Sequence, residues 1–108
     1  NRRSRGLGDV YKRQDDILLS SLATGSIGDA FSELNQFDDA LDYYVKASKS
    51  NNNYSSPMYL FKAGTIAMKL NKFKRAEEYF SIIKQDYPNS AEAKNIDAYI
   101  SKSVASNQ

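Results

Sequence analysis

Asp38 and Asp42 stand four residues apart, a spacing that puts both carboxylates on one face of a helix, where a pair of them can hold a divalent cation. Two oxygen donors without a third ligand or an enclosing site seldom bind one, and exposed helix charge is the better account. Glu77 and Glu78 are adjacent, so they point to different sides of a helix. The chain has no histidine and no cysteine, which removes the commonest general base, the commonest zinc ligand and any thiolate nucleophile. Catalysis would have to run on carboxylates, lysine or tyrosine. Tyrosine is abundant, with eight copies, yet Tyr44, Tyr79 and Tyr99 fall on or beside helix-packing stripes and read as core. The glycines are scattered rather than spaced as a phosphate-binding loop, and no Gly-x-Ser-x-Gly elbow occurs. Asn53-Tyr54-Ser55 matches a glycosylation acceptor, which matters only in a eukaryotic secretory route. The residue types point away from catalysis, and neither a metal nor a cofactor is expected.

The elements that carry these residues are helices. At 108 residues the chain has room for one small domain, and no run of about 18 apolar residues is present to span a membrane. A first helix is predicted from about Asp16 to Leu34, with Leu19, Ala23, Ile27, Phe31 and Leu34 as its inward stripe. After the tight turn at Asn35-Gln36, a second helix from about Phe37 to Ser50 buries Phe37, Ala40, Leu41, Tyr44 and Ala47. The run SNNNYSS interrupts it, and Pro57 suits the first turn of a third helix, Met58 to Leu70. A fourth helix runs from Phe73 to about Tyr87, where Pro88 forbids its continuation. A last amphipathic helix after Asn89-Ser90 carries Ala93, Ile96, Ile100 and Val104, with a polar remainder suited to facing water.

Charge divides the chain unevenly. Residues 1–14, NRRSRGLGDVYKRQ, hold five basic residues against Asp9, a net of +4, so the remaining 94 residues stand at −2. A basic arm can bind nucleic acid. This one has no helical or strand period, however, and GLGDVYKRQ looks like translated adaptor sequence at the broken end of a gene fragment. Residues 1–14 are therefore expected to be a non-native or disordered leader, with the folded domain at 15–108 and no nucleic-acid partner. Within the domain, residues 15–49 hold seven acids against Lys46 and Lys49, whereas 62–75 hold Lys62, Lys69, Lys72, Lys74 and Arg75 with no acid. Such opposed halves suit head-to-tail association or an acidic partner, but a solvated surface with weak pairing between neighbouring helices is favoured.

LNQFDDALDYY from Leu34 and LNKFKRAEEYF from Leu70 repeat one another at a distance of 36, as do Gly28 and Gly64 upstream. The small residues supply the reason: Gly28 and Gly64 let a partner helix approach, and Ala40 and Ala76 occupy the matching contact. Phe37 and Phe73 close the turn end of each pair.

This pattern resembles the tetratricopeptide repeat. The first copy supplies Gly28, Phe31, Ala40, Tyr44 and Ala47, and the second Gly64, Ala67, Ala76, Phe80, Ile83 and Pro88. Ala67 and Ile83 exchange large and small relative to the usual pattern, and two extra residues fall in SNNNYSSP. The resemblance implies an all-α stack of antiparallel helix pairs, with repeats at about 21–54 and 57–90 and a capping helix at about 91–104. SSPMYLFKAG, AEEYFSIIKQDYPNS and NIDAYISK together are similar to the C-terminal end of bacterial repeat proteins that carry one membrane-spanning helix and display the repeats in the periplasm. That likeness implies a longer parent protein whose anchor and earlier repeats lie upstream, on the periplasmic side of the inner membrane. The present chain would itself make no membrane contact.

In such a stack the first helix of each pair lines the concave side. Helical spacing assigns Leu22, Gly25, Asp29, Ser32 and Glu33 to that face in the first copy, and Met58, Phe61, Thr65, Met68 and Lys69 in the second. Met58, Phe61 and Met68 form an apolar strip distinct from the pair-packing strip Leu60, Ala63, Gly64 and Ala67. It suits a peptide, missing repeats or a second copy of the chain, and methionine adapts to irregular partners. Some relatives clamp acidic chaperone tails with lysine and asparagine, but Gly25 and Asp29 stand where those side chains would be wanted, which argues against that ligand. The expected function is a non-catalytic scaffold that binds a protein or peptide through Asp29, Glu33, Met58, Phe61, Thr65, Met68 and Lys69. The alternatives are a homo-oligomerisation element, giving a homodimer, and a helical accessory fragment of a larger enzyme.

Overall fold

Two turns of the same construction fold the chain back on itself. Asn35 and Asn71 both adopt left-handed backbone, each at φ 59°, a region where asparagine is among the few tolerant side chains. At the first turn the Asn35 N–H donates to the Ser32 carbonyl at 3.0 Å and the Gln36 N–H to Phe31 at 2.9 Å. At the second, Asn71 donates to Met68 at 3.1 Å and Lys72 to Ala67 at 2.8 Å. These paired bonds satisfy the last helical carbonyls and reverse the chain within a few residues, so the flanking helices are antiparallel neighbours.

The computed structural model describes residues 2–108, with side chains from Gly8 on. It is all-α: α1 (Arg2–Glu33), α2 (Phe37–Ser48), α3 (Ser55–Lys69), α4 (Phe73–Asp86), a 3-10 turn (Ala91–Asn95) and α5 (Ile96–Ser106). Each helix packs on the next, α1 also touches α3, and no strand occurs among the described residues. This is the architecture expected of a helical repeat.

The core runs as one column between the helices. Ala40, Leu41, Tyr44 and Ala47 of α2 meet Tyr59, Leu60, Ala63, Ile66 and Ala67 of α3, then Ala76, Phe80 and Ile83 of α4 and Ile96 of α5. Leu41, Phe80 and Ile83 are among the most enclosed side chains, and burying each contributes about 1.5–3 kcal/mol. The small residues do what the repeat predicted: a Cβ on Gly28 would stand 2.8 Å from the Tyr44 ring, and one on Gly64 would strike Phe80.

The connection after α2 is a hydroxyl-built cap rather than a bare turn. The Asn52 carboxamide oxygen accepts from the Tyr54 and Ser55 N–H groups at 2.8 and 2.9 Å, and Ser50 bridges the fully buried Ser55 and Ser56 hydroxyls at 3.2 Å each. Pro57 follows in the first turn of α3, where its missing N–H costs nothing.

Three expectations need correction. First, α1 begins at Arg2 rather than near Asp16, because extending an existing helix fixes one residue per bond while nucleation has already been met. Its residues from Gly8 to Ile17 are exposed. Second, the inward face of α1 is not Leu19, Ala23, Ile27 and Leu34, all of which are exposed. Ser21, Gly25 and Gly28 are buried instead, with Leu22 and Phe31 beside them. Close approach selected that face: Gly25 leaves room for the Tyr59 ring, and the Ser21 hydroxyl donates to the Ala47 carbonyl at 2.8 Å. Third, the last helix turns Ser103 inward and leaves Val104 exposed, since the 3.6-residue period carries the inward stripe from Ile96 through Ile100 to Ser103, seven residues on, rather than to Val104.

Candidate functional site

α1, α3 and α5 lie on one side of the stack, where α1 touches α3, and α3 meets α5 through Phe61–Tyr99 and Met68–Ser103. Asp29 of α1 and Lys62 of α3 meet there at 2.9 Å, and Asp29 also accepts a 2.5 Å hydrogen bond from the Tyr44 hydroxyl of α2. The Lys62 ammonium lies 5.7 Å from the Tyr44 and Tyr59 ring centroids, which stack on each other at 6.1 Å. Burial pushes the Tyr44 phenol well above its ordinary range, reinforced by the hydrogen bond from its hydroxyl to the Asp29 carboxylate. Tyr59 is shifted upward by burial and then by the same carboxylate. Both phenols hold their protons at neutral pH, and Asp29 is an internally neutralised tie between the two copies rather than a free negative contact.

On α3, Met58, Phe61, Thr65 and Met68 are half-buried and Lys69 is exposed. The strip predicted from spacing exists, but α5 covers part of it. Phe61 lies edge-on to Tyr99 at 4.8 Å and tilted against Phe80 at 5.8 Å, and the Ser103 hydroxyl donates to the Met68 sulfur at 3.4 Å. The Thr65 hydroxyl donates to the Phe61 carbonyl at 3.0 Å and so is turned into its own helix. Lys69 is drawn over the Phe37 ring at 4.9 Å, while Glu33 is exposed at the end of α1.

What remains open is the N-terminal half of the strip. Two adjoining depressions share Ala91 and Glu92: one of about 280 Å³ holds Phe61, Asn95 and Tyr99, the other of about 390 Å³ holds Met58, Tyr54, Asn53 and Ser90. Tyr54 is 67% exposed and Tyr99 39%, so each presents an amphipathic ring at the rim. The floor is sulfur and aromatic carbon, the rim amide and carboxylate. Such a groove can seat an apolar side chain of an extended or helical segment while the rim bonds to its backbone. Sequence reasoning misses Tyr54, Glu92, Asn95 and Tyr99, which come from a loop and the capping segment; Tyr99, which its spacing assigns to the core, is 39% exposed.

The remaining candidate chemistry is accounted for by neighbours. Asp38 in the first turn of α2 pairs with Lys72, in the turn before α4, at 3.7 Å, and Lys84 of α4 pairs with Asp97 of the adjacent α5 at 2.8 Å. The acidic first half and basic second half thus compensate partly inside one chain, at exposed sites where such pairs contribute little. No described helix is long and apolar enough to cross a membrane.

The family model described as tetratricopeptide repeat matches residues 59–90, which span most of α3, all of α4 and the turn that follows. No curated protein and no solved structure matches the chain.

Proposed function

Residues 59–90 form a tetratricopeptide repeat, and from that premise we propose that the chain is a non-catalytic interaction module that seats a protein or peptide segment on the inner face of α3. Repeats of this family generally mediate protein–protein interaction. The observation that carries the reading here is the open groove of Met58 and Phe61, walled by Tyr54, Ala91, Glu92 and Tyr99. Its apolar floor supplies affinity and its polar rim supplies register, the division of labour found in protein interfaces. Asp29 serves as structure, Thr65 and Met68 form the floor's continuation toward α5, and Lys69 and Glu33 form a charged margin at the turn end of the helix pair.

A displayed peptide library selected against the whole chain tests this. Peptides sharing an apolar anchor should emerge, and Met58→Glu and Tyr54→Ala should each weaken their binding at least tenfold while leaving the helical spectrum unchanged. Met58 is a better probe than Phe61, whose contacts with Phe80 and Tyr99 tie it to folding. Equal binding by wild type and Met58→Glu would overturn the assignment.

A further inference from the structure

The two depressions of the α3 groove that share Ala91 and Glu92 continue, through Asn53 and Ser90, into a third of about 340 Å³ lined also by Asp86 and Pro88. The chain carries 15 basic residues against 13 acidic ones, yet the only charged side chains lining the three depressions are Asp86 and Glu92. Both are acids. Lys84 and Lys94 stand two residues away from them in sequence but line none of the three, and Lys84 is drawn to Asp97 at 2.8 Å. Among the described residues Asp29, Asp38 and Asp97 each take part in an ion pair, whereas Asp86 and Glu92 take part in none.

The rings of the groove are in the same condition as its carboxylates. Phe37, Tyr43, Tyr44, Tyr59 and Tyr79 each have a lysine or arginine of the chain over their faces, while among the described residues Tyr54, Phe61 and Tyr99 have none. Phe61 and Tyr99 stand edge to face at 4.8 Å in the depression that also holds Glu92 and Asn95, and Tyr99 is 39% exposed. A ring face beside a carboxylate attracts a cation twice, through its quadrupole and through the opposite charge. A guanidinium meets both demands better than an ammonium: it is planar and stacks on a ring, its fork of N–H donors spans both carboxylate oxygens, and it is more weakly hydrated. We propose that the segment seated in this groove carries an arginine on the same face as its apolar anchor. The anchor occupies the depression of Met58 and Tyr54, and the guanidinium occupies the adjoining one of Phe61, Tyr99 and Glu92. Residues that share a face are two apart in an extended segment and three or four apart in a helical one. Asp86, beyond the other side of the anchor, adds to the attraction for a basic segment and repels an acidic one. This inference rests on the proposed function and narrows its partner to a basic peptide segment.

A library of random displayed peptides selected against the whole chain tests this. The wild type should enrich an apolar residue together with an arginine at one of those offsets. Glu92→Arg, with the helical spectrum of the wild type, should enrich aspartate or glutamate at that offset instead, a reversal that damage to the fold cannot produce. In the most enriched peptide, exchanging the arginine for citrulline, its uncharged isostere, should weaken binding to the wild type about tenfold, the effect of losing one charge-assisted hydrogen bond. The same exchange should make little difference to binding by Glu92→Gln. Apolar anchors without an arginine at a fixed offset, or a citrulline effect as large with Glu92→Gln as with the wild type, would overturn this inference and leave the groove standing. Selection of no apolar anchor would overturn the groove assignment and this inference with it.

Discussion

The Tyr44 hydroxyl on α2 donates to the Asp29 carboxylate on α1 at 2.5 Å, and that same oxygen takes the Lys62 ammonium of α3 at 2.9 Å. One acceptor therefore joins three helices. A free phenol ionises at about pH 10, whereas Tyr44 in the fold ionises higher because burial and the adjacent carboxylate oppose a second negative charge. The sign follows: its contribution to stability is complete below about pH 10 and is lost as the pH climbs from there toward the folded value. Melting temperature should stay flat through neutral pH and fall above that point. Tyr44→Phe should cost about 1–2 kcal/mol at neutral pH and show a shallower alkaline fall, with Tyr59 supplying what remains. An identical alkaline slope in the variant would count against the tie.

Glycine positions on α1 should respond in opposite directions. A methyl group on Gly25 would run into the Tyr59 ring, while one on Gly8 meets nothing within 4 Å. Gly25→Ala should destabilise by about 1–3 kcal/mol of overpacking, offset in part by better helix propensity. Gly8→Ala should hold or gain up to about 1 kcal/mol. Urea unfolding of the two variants side by side measures both.

The duplicated turn offers a backbone test. Asn71 sits at φ 59°, where an ordinary L-residue is strained by roughly 1–2 kcal/mol. Asn71→Ala should lower stability by about 1 kcal/mol, and Asn71→Gly should leave it unchanged or slightly higher. Asn35 should behave alike at the matching turn. Thermal melts of the four variants would reveal a discrepancy between the copies.

The Asn52 cap predicts a local effect. Its carboxamide satisfies the Tyr54 and Ser55 N–H groups that open α3, and losing such a cap costs about 1 kcal/mol. Asn52→Ala should speed amide exchange at the start of α3 more than at its end. Uniform exchange along the helix would argue that the hydroxyl cluster of Ser50, Ser55 and Ser56 holds the start alone.

Much of this molecule is legible in its sequence. The 36-residue repeat, its matched glycines and alanines, the tolerant asparagines and the helix-stopping proline each act locally or between adjacent helices, where spacing determines which side chains can meet. The strip of Met58, Phe61 and Met68 was readable for the same reason. What only the tertiary structure decided is which of two faces α1 turns inward. Periodicity favoured the stripe with large side chains, but the buried face is built on Ser21, Gly25 and Gly28, residues whose worth is the room they leave and which add little apolar area. The groove was decided there too. Its walls come from Tyr54, Glu92 and Tyr99, segments separated along the chain and joined only because α5 folds back along α3, a placement set by packing across the stack and not by any spacing within one helix.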